Sequence, residues 1–290
     1  MTKGTVYLNG EFMASDQARI SPLDRGFLFA DGVYEVIPAF NGVLFRLDAH
    51  LQRLERSLAE VAIDNPLDRH GWRRLCERMV RVNGGGNISV YLQITRGVAD
   101  KRDHAFPDPP VSPTVFLSCA PIAVPAADSP DRAEGAAAIT LADTRWARCD
   151  IKSVSLLPNI LLRQQAVASG ALEAILLRDG LVTEGAASNV FVVHGGEVST
   201  PPLSPRILGG ITRDLIVELC REHGLPVAER AVPEQRLHDA DEIWVSSSTK
   251  DVVPITRLND RPVGDGRPGA TWKTLARHYI QFKRRLCGLD

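Results

Sequence analysis

Apolar and polar positions change period along the chain, and the changes mark its elements. Residues 5–8 and 11–13 flank Asn9-Gly10, a dipeptide that favours the tight turn of a two-strand hairpin. Residues 32–40 and 43–47 flank Asn41-Gly42 in the same way. Asp48 predicts a helix N-cap, after which Leu51, Leu54, Leu58 and Val61 recur every three or four residues as one apolar stripe. A second helix, over 68–82, carries Trp72, Leu75, Met79 and Val82 on one face and stops at Gly84-Gly85-Gly86. Strands follow at 88–96 and 114–119.

The stretch 121–135 is rich in Pro, Ala and Asp and reads as an interdomain linker between residues 1–120 and 136–290. Beyond it come a strand at 136–143, a helix at 159–169 with Pro158 near its first turn, and a strand at 173–178. Asp179-Gly180 turns that strand into Leu181-Val182-Thr183. Strands at 189–193 and 197–200 flank Gly195-Gly196, and a helix runs from just after Gly209-Gly210 to Gly224. A strand at 242–248 and a helix at about 271–286 complete the list. Strands and helices mix without regular βαβ alternation, so the expected class is α+β rather than a doubly wound sheet.

Length and composition fit this picture: 290 residues, 44% of them hydrophobic, suit one large or two medium domains with a sizeable core. A net charge of −1 offers no basic field for nucleic acid. The densest arginine set, Arg69 to Arg81, reads as a solvated helix face. The longest uncharged stretch, Pro109 to Ala127, holds five prolines and so predicts no membrane helix. No apolar leader opens the chain, and its five scattered cysteines suit a reducing cytoplasm rather than a disulfide framework or zinc site. No HExxH or HxH pattern supports a metal enzyme.

Of the 34 basic side chains only six are lysines, so few amines are available for chemistry. Lys152, in Asp150-Ile151-Lys152-Ser153, follows Trp146 and Cys149. An apolar neighbourhood there would favour the uncharged amine that attacks an aldehyde. Glu184, followed by the small residues Gly185-Ala186-Ala187-Ser188, could stand beside a heteroaromatic nitrogen with room for a planar ligand. Leu208-Gly209-Gly210-Ile211-Thr212-Arg213 opens a helix whose first amides could seat a phosphate, although it is neither a Walker loop nor GxGxxG. Ser246-Ser247-Ser248-Thr249 could add hydroxyl donors from a strand end. Taken alone, each has a plain structural reading: a surface lysine, a solvated turn glutamate, a helix cap and a solvated strand end.

Their order resembles the fold-type IV pyridoxal-phosphate transaminases from Val6 to about Tyr279, and within them the D-amino acid aminotransferases. The carrying segments are Asp24-Arg25-Gly26 with Asp31-Gly32-Val33-Tyr34-Glu35, His50-Leu51-Gln52-Arg53-Leu54, Arg145 through Ser153, Glu184 through Asn189, and Gly210-Ile211-Thr212-Arg213. The resemblance implies a two-domain fold: a small N-terminal α/β domain and a larger C-terminal, mixed β-barrel-like, cofactor-binding domain. It implies that Lys152 bonds to pyridoxal 5'-phosphate as a Schiff base and then shuttles the substrate proton. It implies that Glu184 keeps the pyridine nitrogen protonated, that Arg53, Ile211, Thr212 and Ser248 hold the phosphate, and that Leu208 packs on the ring. On the bare sequence Arg53 could equally be a snorkelling arginine, and Tyr34 simple strand packing.

Substrate choice hangs on Thr95-Arg96-Gly97 and Arg102-Asp103-His104. The resemblance implies that Arg102, His104 and Tyr34 grip an α-carboxylate, and that the loop reaches a partner subunit in a homodimer. The implied reaction moves an amino group from a D-amino acid, such as D-alanine, to a 2-oxo acid, such as 2-oxoglutarate, by a ping-pong route. Branched-chain L-aminotransferases, (R)-amine transaminases and aminodeoxychorismate lyases share the fold and stand as alternatives. A phosphate- or metabolite-binding protein that merely keeps the fold is the non-enzyme alternative. Two departures bear on the substrate. Ala186 and Ala187 lack the hydroxyls that relatives often carry, and Asp103 would oppose a carboxylate if it pointed inward.

Overall fold

The computed structural model describes residues 4–122 and 130–288. By its internal contacts the chain divides into two compact units. The first is Met1–Val124 with Ile151–Ser155 and Arg285–Asp290; the second is Pro125–Asp150 with Leu156–Arg284. Of the expected linker 121–135, residues 123–129 lie outside the described residues.

The first unit is a six-stranded antiparallel sheet in the order β2-β1-β6-β5-β3-β4. Its strands are β1 (Thr5–Leu8), β2 (Glu11–Ala14), β3 (Gly32–Phe40), β4 (Val43–Leu44), β5 (Ile88–Thr95) and β6 (Thr114–Pro121). Both Asn-Gly pairs have positive φ at both residues, as a primed hairpin turn requires. Helices α2 (Leu47–Glu60) and α3 (Arg69–Val82) cover the sheet, and α1 (Arg25–Phe29) precedes β3. Leu51, Leu54 and Leu58 are each 1% exposed and meet Ile37, Val90 and Leu92 in one core. Asp48 is not the N-cap of α2: the helix begins at Leu47 after Arg46 in the left-handed region, and Asp48 lies in its first turn. On α3, Val82 is exposed, and Cys76 and Val80 join Trp72, Leu75 and Met79 in the core instead. Residues 43–47 are only briefly strand, because α2 starts at once.

The second unit is a nine-stranded mixed sheet along β12-β11-β10-β13-β14-β7-β8-β9, with β15 on β14. Its strands are β7 (Ala136–Ala142), β8 (Glu173–Arg178), β9 (Leu181–Gly185), β10 (Asn189–His194), β11 (Glu197–Thr200), β12 (Val227–Glu229), β13 (Glu242–Ser247), β14 (Asp251–Leu258) and β15 (Arg261–Pro262). The end strand β9 returns beside β10, so the sheet curls back on itself, as a barrel-like form requires. Its helices are α4 (Leu157–Ala168), α5 (Ile211–Glu222), α6 (Glu234–His238) and α7 (Ala270–Leu286). Strand β13 stops at Ser247, so Ser248 lies in the following turn. Among the described residues no helix is long and apolar enough to cross a membrane.

Candidate active site

In the first unit, residues 151–155 run beside the start of β3. The Tyr34 N–H donates to the Lys152 carbonyl at 2.9 Å, and the Val154 N–H to the Gly32 carbonyl at 3.0 Å. The Lys152 N–H donates to Ser57 Oγ on α2 at 3.3 Å. The backbone is thereby fixed on both sides, and the Lys152 amine stands 4.0 Å from the centre of the Tyr34 ring. Ile151 is buried in the core of the first unit, Cys149 is buried in the second, and Trp146 is exposed.

Beneath this segment lies a buried polar trio. Arg53 donates from Nε and Nη2 to the two oxygens of Glu35, each at 2.8 Å, and His50 Nδ1 is 2.8 Å from Glu35 Oε2. The spacing explains the geometry: His50 and Arg53, three apart on α2, share a face that meets β3 at Glu35. Burial alone would raise the Glu35 carboxyl. The Arg53 charge, its two hydrogen bonds and the His50 contact outweigh burial and hold it well below the usual carboxylate range. Burial pushes His50 down against the pull of Glu35, and the neighbouring charges of Arg53 and Lys152 add to that. Arg53 is thus no snorkelling residue; it is 4% exposed and locked in place.

In the second unit, Glu184 on β9 is the centre of another network. Oε1 is paired with the Arg145 guanidinium, and Oε2 accepts from the Asn189 side chain at 3.1 Å and the Leu208 N–H at 3.0 Å. Arg145 also grips Asp143 through Nε and Nη2, each at 2.9 Å, and Arg178 pairs with Asp143 at 3.1 Å. Burial pushes Glu184 up to about 7, against the lowering pull of Arg145 and the Leu208 amide. A carboxylate can accept about four hydrogen bonds, so three donors leave room for one more. Leu208, tied to Glu184 by its N–H and to Asn189 by its carbonyl, is fixed beside that carboxylate.

Helix α5 begins at Ile211 with Gly210 as N-cap and no side-chain cap, so the first-turn amides of Ile211 and Thr212 are not taken by a capping side chain. A Cβ at Gly210 would stand 2.0 Å from Asn189 Oδ1, which explains the glycine. Ser246 Oγ is buried without a partner, a hydroxyl left over for a ligand. By type, an amine, a carboxyl, a hydroxyl and uncapped amides suit a phosphorylated, aldehyde-bearing heteroaromatic ring.

Arg102 and His104 lie in the loop after β5, back in the first unit, where both sit on the Phe29 ring. The Arg102 guanidinium carbon is 5.0 Å and the His104 ring 5.3 Å from its centre. Asp103 points away from them: it is exposed, accepts from the Ala105 N–H at 3.2 Å and pairs with Lys101 at 3.3 Å.

The profile of the amino-transferase class IV family matches residues 32–258. The chain belongs to that family. A D-alanine aminotransferase of Bacillus licheniformis is 40% identical over 270 residues, 93% of this chain and 94% of its own. The Escherichia coli branched-chain amino acid aminotransferase superposes with a TM-score of 0.88 at 25% identity, covering 97% of this chain and 94% of its own. A T.th. branched-chain amino acid aminotransferase, solved with pyridoxamine 5'-phosphate, has a TM-score of 0.89 at 24% identity, covering 100% and 96%. This class IV aminotransferase accordingly has the two-domain α+β fold, and the cofactor of its family is pyridoxal 5'-phosphate. Residue types alone did not assign roles to Glu35, His50, Arg145 and Asn189. The available signal was their place inside the segments that carry the resemblance.

Proposed function

We propose that this aminotransferase moves an amino group from a D-amino acid, such as D-alanine, to a 2-oxo acid, such as 2-oxoglutarate, in two half-reactions at one cofactor. The observation that carries the substrate class is the meeting of Arg102 and His104 on the Phe29 ring, with Asp103 turned out of the way. A cation and a histidine held side by side suit an α-carboxylate. The 40% identity to a D-alanine aminotransferase supports the same reading, and the exposed Asp103 removes an objection to it.

In this reading Lys152 holds the cofactor covalently at its aldehyde carbon. Its Nζ would also act as the general base that accepts the substrate's Cα proton. Tyr34 lines the approach. Glu184 would offer its spare acceptor site to the ring N–H, Leu208 would pack on the ring, and Arg53, Ile211, Thr212 and Ser248 would hold the phosphate. Arg53 reaches it with its fork already oriented by Glu35. Bound pyridoxal phosphate supplies the electron sink. Residues 1–120 form the smaller domain. Residues 136–290 form the larger one, which would seat most of the cofactor, while 151–155 and 285–290 group with the smaller. A second copy completes the enzyme: α4 exposes Leu157, Ile160, Leu161 and Val167, an apolar stripe suited to an isologous partner. The proposed compartment is the cytoplasm.

A panel of D-alanine, L-leucine and a neutral amine, each with 2-oxoglutarate, tests the substrate class; turnover of the L-substrate alone refutes it. Arg102→Ala is expected to raise KM for D-alanine about tenfold or more and to leave an amine without a carboxylate little changed. Glu184→Gln keeps the shape and loses the charge, and kcat should fall roughly a hundredfold in a folded protein. The cofactor-free protein carries a second signature of Glu184. Its carboxyl is raised from 4.5 to about 7, so the folded chain keeps a proton that the unfolded chain has released. That group therefore lowers stability as pH rises through this window, and denaturation of Glu184→Gln across it should lack the component.

A further inference from the structure

Arg25 is buried in the first unit, yet its guanidinium touches neither the sheet nor a ligand seat. It reaches into the loop that carries Arg102 and His104. Nη1 donates to the Asp103 carbonyl at 2.6 Å and the Ala105 carbonyl at 3.1 Å, and Nη2 donates to the His104 carbonyl at 3.2 Å. Three consecutive carbonyls are thus held by one rigid fork, a task that a lysine cannot copy. Nε of the same residue donates to Asp31 at 2.8 Å. Asp31 in turn is gripped by Arg96 through Nε at 2.8 Å and Nη2 at 3.0 Å. Arg96 is itself pinned to the Val61 and Ala62 carbonyls at the end of α2, each at 2.7 Å. The loop is therefore bolted through two guanidiniums and one carboxylate to the helical layer. Burial would raise Asp31, but Arg96 and Arg25 outweigh it and hold it below its usual range, so the bridge stays charged.

The side-chain layer repeats the arrangement. Arg25 lies 4.9 Å from the centre of the Phe29 ring, the same ring that receives Arg102 and His104. Arg96 lies 3.6 Å over Phe106, at the far end of the segment. Backbone and side chains of residues 102–106 are accordingly set from one side by a single cluster. Asp24 fixes where Arg25 starts: it accepts from the Gly26 N–H at 2.8 Å, from Thr95 Oγ1 at 3.1 Å and from Thr114 Oγ1 at 2.6 Å.

We propose that Arg25, bridged by Asp31 to Arg96 and backed by the Phe29 ring, is a positioning residue for substrate-carboxylate recognition: it holds residues 103–105 so that Arg102 and His104 converge. The proposal rests on the reading of Arg102 and His104 as the carboxylate grip. Arg25 has no contact with substrate in it; its effect passes through the geometry of the loop, where an error of about 1 Å is enough to cost a large factor in rate.

The test compares three variants of the holoenzyme, Arg25→Lys, Phe29→Leu and Arg102→Ala, with D-alanine and with a neutral amine as donors. Hydrogen exchange over 100–108 and tryptic cleavage after Arg102 report the loop directly. Arg25→Lys should raise KM for D-alanine by about tenfold with kcat near wild type, leave the amine unchanged, and speed both exchange and cleavage. Phe29→Leu, which removes no charge, should produce the same selectivity and guards against a misfolded Arg25 variant. If Arg102→Ala is selective while Arg25→Lys and Phe29→Leu are not, and the loop exchanges as in wild type, the positioning role is overturned and the grip survives. If Arg102→Ala affects both donors equally, the grip itself is refuted, and the positioning role falls with it.

Discussion

Lys152→Ala is expected to fold, to keep its oligomeric state and to lose turnover by at least ~10⁴-fold, because in the proposed reading one side chain supplies both the covalent hold and the proton shuttle. The backbone contacts that fix this segment come from the amide and carbonyl of residue 152 and the amide of Val154, and do not involve the amine. Removing the amine therefore leaves the strand-edge pairing with β3 intact, and a loss of activity cannot be ascribed to unfolding if the denaturation midpoint is unchanged. A second readout needs no turnover. Borohydride treatment of the wild-type holoenzyme should attach the cofactor irreversibly to the peptide containing Lys152, and the variant should carry no such adduct. Wild-type turnover in Lys152→Ala, or an adduct at another lysine, would refute the role.

Glu35→Ala should give the largest loss of stability. It strips the buried Arg53 of its two hydrogen bonds to Glu35 and takes away the carboxylate beside His50, and removing one partner of a buried pair costs about 3–5 kcal/mol. Urea denaturation with and without cofactor measures it. The pH dependence follows from the directions of the shifts. Glu35 is lowered in the fold, so its contribution is present above pH 4.5 and is lost only as pH falls through its depressed value. His50 is lowered from 6.5, so the unfolded chain takes up a proton first and stability falls as pH drops below about that value. The wild-type trio thus weakens in acid on both counts. Glu35→Ala should lose the Glu35 part of the acid limb, below pH 4.5, along with its lower plateau. A loss below about 1 kcal/mol would mean that the pair is not a structural element of this core.

The hairpins were legible in the sequence because their cause is local: Asn-Gly and Asp-Gly adopt the positive φ that the turn needs, wherever they occur. The leucine stripe of α2 was legible because the helical period shows in a handful of residues. Strand β14 was not, because Pro254 lies inside it. The fold accommodates that proline opposite Trp244, just ahead of Ile255, where pairing with β7 begins. The short helices α1 and α6 carry too few turns to show a period. Among the proposed site residues, Lys152, Glu184 and the Gly210 helix start could be named from residue type and order. The partners that set their behaviour could not. Glu35 meets Arg53 across 18 residues, and Arg145 meets Glu184 across 39, and no local pattern encodes such contacts.

The division of the chain has a consequence for how the protein is made. Residues 151–155 complete the edge of β3, yet they are translated after the whole of β7, well beyond the end of β6. A nascent chain stopped at residue 122 would hold six strands and three helices, but the Tyr34 amide and the Gly32 carbonyl would still be waiting for their partners. Lys152, the proposed Schiff-base lysine, thus arrives on the piece that completes the edge of β3, so its amine is placed only once that edge has formed.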